Sequence, residues 1–242
     1  MDKLKDILNK YNVKKTLDVG CGRGEFIPYI LEYFNGCKEL TALDKSDYIL
    51  KMKKEDFRFE NIEFVKADAL HMPFDDCSFD TVCISNSLHH MADIEMVLSE
   101  MKRVLKPGGL FVINEMYCDN QTEKQMSHVI IHHFGAELDR LSGVFHNPTL
   151  KRQEIIDTAK GTGLKLMEAF DYNTGDDQKD DMTVDEEKKE LDEICAYFEN
   201  RIKKIEDKEQ YDKYYKEFQQ LKDKLYKNGL MGATELMVIL KK

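Results

Sequence analysis

The chain has 242 residues, 42% hydrophobic and 34% charged, which suits one sizeable core plus an added subdomain and excludes a disordered polymer. Its net charge of −10, with Lys and Arg interleaved among acids and no basic stripe, disfavours a nucleic-acid partner. No apolar run approaches the ~20 residues that span a bilayer, and the mixed-charge N-terminus does not read as a signal peptide, so no membrane partner is expected.

Residues 2–11 place Leu4, Ile7, Leu8 and Tyr11 at helical spacing, and Lys15 to Gly20 follows as a strand. A helix with Phe26, Ile27, Ile30, Leu31 and Phe34 on its inner face stops at Asn35-Gly36. The cycle repeats with strand 39–44, helix 46–57 and strand 61–66, then strand 79–84, helix 92–104 and strand 109–115. Strands alternating with helices imply parallel pairing, because the crossover needs a helix to bring the chain back. Residues 119–136 predict a further helix, then a loop through Gly143 and Asn147-Pro148, a helix capped by Thr149 that runs to Lys160, and a strand from Leu164 to Phe170. The acidic stretch Asn173 to Thr183 reads as a linker, followed by two amphipathic helices within 184–227 and a last strand, Ala233 to Leu240. The expected fold is α/β: a doubly wound, mostly parallel seven-stranded sheet with an antiparallel last strand and an inserted helical hairpin. Residues 1–172 and 230–242 would form the core domain, with 117–148 as its substrate-side insert and 184–227 as the hairpin. The six cysteines lack C-x-x-C spacing and predict free thiols in a reduced, cytoplasmic setting.

The loop after the first strand, Gly20-Cys21-Gly22-Arg23-Gly24, is the sharpest chemical feature. Its glycines let the backbone turn tightly and approach a ligand at a strand-to-helix switch, where α/β sheets bind. It departs from the dinucleotide fingerprint G-x-G-x-x-G, because the third glycine comes early and Glu25 stands in its place. A pyrophosphate beside Glu25 is a poor match; a cofactor with an amino acid end is a better one. Asp44, at the tip of the second strand, can accept both ribose hydroxyls, or alternatively cap the next helix, a role open also to Ser46 or Asp47.

Leu17 to Gly24 with Asp44, then Val65-Lys66-Ala67-Asp68-Ala69, Phe79-Asp80-Thr81-Val82, Ser87-Leu88-His89-His90 and Leu105-Lys106-Pro107-Gly108-Gly109, resembles the class I (Rossmann-like) methyltransferases. The likeness covers roughly residues 14–116 and the closing strand, and is greatest to the small-molecule branch that includes the ubiquinone/menaquinone-type enzymes. It implies S-adenosyl-L-methionine as cofactor and a small-molecule methyl acceptor. By the same resemblance, Asp18, Gly20 and Gly22, with Cys21 between them, would hold the methionyl end, and Asp44 the ribose. Asp68 and Ala69 would meet the adenine, with Lys45 flanking its face, and Ser85 and Asn86 would border the reactive methyl.

An acceptor that is protonated at working pH needs a base. His89, Glu115 and His132 are the candidates, while Tyr117, His128, His132 and His146 are expected to line the acceptor pocket. Structural readings compete: His89 packing a turn, Glu115 bridging to a neighbouring helix, the other histidines capping the pocket. His128 and His132 sit at i, i+4, but no Glu stands beside the first, so no metal set is expected. The hairpin would cover the pocket or build a homodimer contact. Ser85-Asn86-Ser87-Leu88 lacks the proline-aromatic motif of base-amine methyltransferases, which argues against that chemistry. The alternatives are a methyltransferase acting on RNA or protein, a cofactor-binding protein without turnover, and a dinucleotide oxidoreductase, which the loop spacing opposes.

Overall fold

Thr16 to Val19 are buried in β1 (Lys15–Val19), an interior strand of the computed structural model, which describes residues 2–172 and 182–242. Burial on both faces favours a continuous apolar run, which Thr16 and Asp18 interrupt here. β1 pairs in parallel with β2 (Glu39–Asp44) on one side and β4 (Phe79–Ser85) on the other. β3 (Ile62–Lys66) extends the sheet beyond β2, and β5 (Leu105–Met116) extends it beyond β4, both in parallel. β6 (Lys165–Tyr172) and β7 (Glu235–Lys241) run antiparallel to each other and complete the order β3-β2-β1-β4-β5-β7-β6. This is the seven-stranded, mostly parallel sheet with an antiparallel last strand that the strand–helix alternation predicts. Because β1 lies between β2 and β4, the connections on its two sides diverge and leave a crevice at the carboxyl ends of the strands.

Contacts divide the chain into two units. The sheet unit holds Met1–Glu115, Arg152–Tyr172 and Glu235–Lys242; the helical unit holds Met116–Lys151 and Asn173–Thr234. In the sheet unit, α1 (Asp2–Leu8) and α2 (Ile27–Tyr33) bury Leu4, Leu8, Ile27 and Ile30 in a cluster with Leu40, Ala42, Val112 and Ile239. α3 (Ile94–Val104) begins where the Asp93 carboxylate accepts the Met96 N–H at 2.9 Å, and α5 (Arg152–Gly161) precedes β6.

Four elements depart from expectation for identifiable reasons, the fourth in the helical unit. Residues 46–57 form two 3-10 turns, Asp47–Lys51 and Lys54–Phe57, and not one helix. Ser46 caps the first turn by accepting from Tyr48 N–H. A Cβ on Gly24 would lie 2.7 Å from Phe57 and 2.8 Å from Met52, so these side chains rest on the glycine loop and not along one helical face. β5 starts at Leu105, earlier than predicted, because Leu105 pairs with Phe79 and Gly108 donates to the Lys242 carbonyl. Thr149 does not cap α5: its hydroxyl lies 2.9 Å from His133 Nε2. The stretch Asn173 to Thr183, expected as a linker, falls outside the described residues as far as Asp181.

In the helical unit, α4 (Met126–Leu141), α6 (Val184–Ile202) and α7 (Lys208–Asn228) share one core. The helix expected over 119–136 starts later, at a reciprocal pair in which Gln125 N–H donates to Thr122 Oγ1 and Thr122 N–H to Gln125 Oε1. A Thr183–Glu186 capping box opens α6, and Asp207 caps α7 through Gln210 N–H. Phe134 of α4 meets Phe198 of α6 edge-on at 5.1 Å and stacks on Phe218 of α7 at 6.3 Å. The segment 117–148 thus contributes its helix to the same core as the hairpin. Replacing Phe218 by Ala is expected to cost about 3–5 kcal/mol in denaturant unfolding and to speed hydrogen exchange in α4, α6 and α7 together. A cost below about 1 kcal/mol, or exchange confined to α7, would contradict a shared core.

Candidate functional site

The parallel register brings the loops after β1, β2, β3 and β4 to one edge of the sheet unit. The Gly20 and Cys21 N–H groups both donate to the Leu43 carbonyl, at 2.8 and 3.0 Å, which ties the glycine loop to β2. Gly20 has φ +67°, and a Cβ there would lie 2.2 Å from Ser87 Oγ, so this position needs glycine for both conformation and space. Gly22, at φ +57°, donates its N–H to Asp44 Oδ2 at 2.9 Å. The other Asp44 oxygen accepts from Ser46 N–H at 2.7 Å. A carboxylate has about four lone-pair positions, so Asp44 holds the loop and retains acceptor capacity for a diol.

Asp18 lies beneath this loop and is 1% exposed. Its Oδ1 is 3.7 Å from the Cys83 thiol, and its Oδ2 has no hydrogen-bond partner among the described residues. Burial is the main force on its carboxyl; the Cys83 hydrogen bond opposes it, and the charges of Asp44 and Glu25 add to it. The result is a pKa pushed up from 3.8 to about 7. Burial likewise pushes the Cys21 and Cys83 thiols up, so both act as small apolar groups and not as nucleophiles. Around the loop the sheet unit therefore gathers Asp18, Glu25 and Asp44. No Lys, Arg or His among the described residues is ion-paired with Asp18.

After β3, Asp68 is exposed and its Oδ1 accepts from Leu70 N–H at 3.0 Å, while the neighbouring Ala69 is buried. Lys45 is exposed beside Asp44. Beyond β4, Ser85 and Asn86 belong to a polar network that sequence reasoning missed. Asn114 Nδ2 reaches Ser85 Oγ at 3.1 Å and Glu235 Oε2 at 2.5 Å, and Asn86 Nδ2 donates to Glu235 Oε1 at 2.6 Å. Glu235 opens β7, so the last strand holds Asn86 at a left-handed φ of +44°. The available signal is a lone acid at the head of an otherwise apolar strand.

Two of the three candidate bases belong to the sheet unit and pair there. His89 Nδ1 lies 2.6 Å from Glu115 Oε1, and both side chains are buried. Glu115 Oε2 accepts the Leu88 N–H at 2.9 Å and so caps the 3-10 turn Leu88–His90, which Ser87 leaves without a side-chain cap. Glu115 therefore engages the turn carrying His89 and not a neighbouring helix. His132 belongs to the helical unit, as do Tyr117, His128 and His146. There, His128 Nδ1 accepts from Ala233 N–H at 3.1 Å, and the buried Tyr117 offers its carbonyl to Gln121 at 2.9 Å. His132 and His146 meet edge-on at 4.8 Å, and His146 Nδ1 lies 2.6 Å from Asp139, which also takes Arg201 at 2.6 Å. Burial raises the Asp139 carboxyl, but the hydrogen bonds from His146 and Arg201 outweigh it and hold the group below its ordinary range.

Residues 17–113 match the family described as a methyltransferase domain. The chain is 39% identical over 115 residues to a demethylmenaquinone methyltransferase of Staphylococcus epidermidis, covering 46% of this chain and 48% of that protein. It is 40% identical over 102 residues to one of Staphylococcus aureus, covering 42% of each. The chain thus spans about half the length of the curated relatives it matches. Among solved structures, an S-adenosylmethionine-dependent methyltransferase from Mesorhizobium loti has a TM-score of 0.56 at 16% identity, covering all of this chain and 96% of that one. The [4+2]-cyclase SpnF has a TM-score of 0.59 at 16% identity, covering 100% of this chain and 80% of its own, so the fold by itself does not settle the chemistry. With the glycine loop, Asp44 and the strand order in hand, residues 17–113 are similar to a methyltransferase domain, and the sheet has the Rossmann-like fold of the solved structures above.

Proposed function

We propose that this protein transfers a methyl group from S-adenosylmethionine to a small-molecule acceptor. The observation that carries the reading is the acidic lining of the loop: Asp18 buried without a cation, with Asp44 and Glu25 beside it. Such a lining repels a pyrophosphate and suits a cofactor that carries an ammonium and a sulfonium. Asp18 with the backbone of Gly20, Cys21 and Gly22 would hold the methionyl end, and Asp44 the ribose hydroxyls. Asp68, Ala69 and Lys45 would border the adenine, and Ser85 and Asn86 the reactive end. When bound, the sulfonium supplies a methyl group already activated for in-line displacement.

The remaining task of the chain is to position a nucleophile and remove its proton. Glu115, hydrogen-bonded to His89 Nδ1, fixes the orientation of the imidazole, and the pair acts as general base. A base of this kind suits an acceptor that loses a proton on methylation, such as a phenol or a carbon acid. The staphylococcal relatives, named for demethylmenaquinone, favour a hydroquinone-like acceptor. Their similarity covers 46% of this chain, and we assign acceptor recognition to the helical unit through Tyr117, His128, His132 and His146. Six free thiols and the absence, among the described residues, of a helix able to cross a membrane favour a cytoplasmic enzyme.

Asp44→Ala removes the carboxylate assigned to the ribose, and calorimetry should show adenosylmethionine binding weakened about 100-fold or more. Unchanged affinity would refute the assigned site. His89→Gln should lower kcat by about 100-fold or more while S-adenosylhomocysteine affinity stays within about threefold. Turnover is followed as S-adenosylhomocysteine release with reduced demethylmenaquinone and with a fractionated metabolite extract. Tight cofactor binding without release from any fraction would favour a binding protein over an enzyme.

A further inference from the structure

Asp18 is a carboxyl group withdrawn from bulk solvent and ion-paired with no cation among the described residues. It is 1% exposed, its Oδ2 has no partner among the described residues, and its Oδ1 has only a thiol at 3.7 Å. The titratable groups around it are Cys83 on β4, Cys21 in the loop, Asp44 at the end of β2 and Glu25 after the loop. None is a cation, and both neighbouring carboxylates repel a negative charge at Asp18. An ionised carboxylate in such a place is costly, so the group keeps its proton at pH values where a surface aspartate has long lost it. Consistent with this geometry, its pKa is pushed up to about 7.

We propose that Asp18 is a proton-exchanging receptor for the cofactor's ammonium group, so that cofactor uptake expels one proton from the protein. The inference rests on the cofactor assignment above and adds a thermodynamic coupling to it. The Asp18 O–H bond breaks, its proton passes to solvent, and the carboxylate left behind pairs with the incoming ammonium, which keeps all its own protons. Charge balances within the site: one positive group enters, one proton leaves, and the buried volume gains no net charge. The sign follows from linkage. Below the raised pKa, binding must first expel the proton and is weakened; above it, the carboxylate is already formed and binding loses its pH dependence. An adenosyl compound that lacks the amino group gives Asp18 no charge to pair with, so the proton stays and binding is not coupled to its release.

The test is calorimetry of the whole chain with S-adenosylhomocysteine, which carries the ammonium, in buffers of different ionisation enthalpy. A group titrating near 7 should release about three-quarters of a proton at pH 6.5, and affinity should rise about eightfold from pH 6 to pH 7.5. Methylthioadenosine, which lacks the amino acid end, should bind the same protein with no proton release. Asp18→Asn, which preserves the shape of the side chain, should abolish both the release and the pH dependence. Binding of S-adenosylhomocysteine with a buffer-independent enthalpy would overturn the coupling and leave the cofactor assignment standing. Equal proton release with methylthioadenosine, or with Asp18→Asn, would move the titrating group elsewhere and also overturn it. No binding at any pH would overturn the cofactor assignment and this inference with it.

Discussion

A carboxylic acid sits on an interior strand of the sheet, buried, and the local architecture is arranged around it. Asp18 cannot be hydrated there, and the chain gives it only the Cys83 thiol. The two nearby acids, Asp44 and Glu25, make the site still less tolerant of a negative charge. Natural proteins avoid such an arrangement unless a ligand completes it, because an unpaired buried polar oxygen is costly. A cationic group arriving over the glycine loop removes that conflict. The loop itself is held by the Leu43 carbonyl and the Asp44 carboxylate, so its approach path is set by β2 and not by its own stiffness.

Several side chains serve two functions at this edge of the sheet. Asp44 fastens Gly22 and keeps acceptor capacity. Glu115 caps the turn after β4 and orients His89. Glu235 closes the sheet and fixes Asn86 in a left-handed conformation through hydrogen bonds that also include Asn114. Buried polar networks of this kind rigidify a site when they are well satisfied, which is the condition for placing a nucleophile within reach of an activated methyl group. The same sheet supports a cyclase among its structural neighbours, so these side chains, more than the fold, carry the functional reading.

Much of this was legible in the residues, and the exceptions have physical causes. Apolar runs such as Thr81 to Ile84 and Leu110 to Ile113 alternate with helical patterns, and that was enough for the sheet and its parallel order. The glycine loop and Asp44 could be placed because each follows directly from a strand end. The His89–Glu115 pair could not: the two lie 26 residues apart in sequence, and only the register of Ser85 with Asn114 brings them together. The 46–57 segment misled because Ile49, Met52 and Phe57 mimic helical spacing while Met52 and Phe57 pack on Gly24. The start of α4 was marked by Thr122 and Gln125, a reciprocal cap that the apolar periodicity concealed. Glu235 was hidden within a strand read only for its apolar face.

Whether the acidic loop receives the amino acid end of the cofactor is decided by a crystal structure with S-adenosylhomocysteine. The ligand's amino group is expected within hydrogen-bonding distance of Asp18 Oδ2, with its ribose hydroxyls on the Asp44 carboxylate. A ligand whose amino group makes no contact with Asp18, or whose ribose lies away from Asp44, would contradict it.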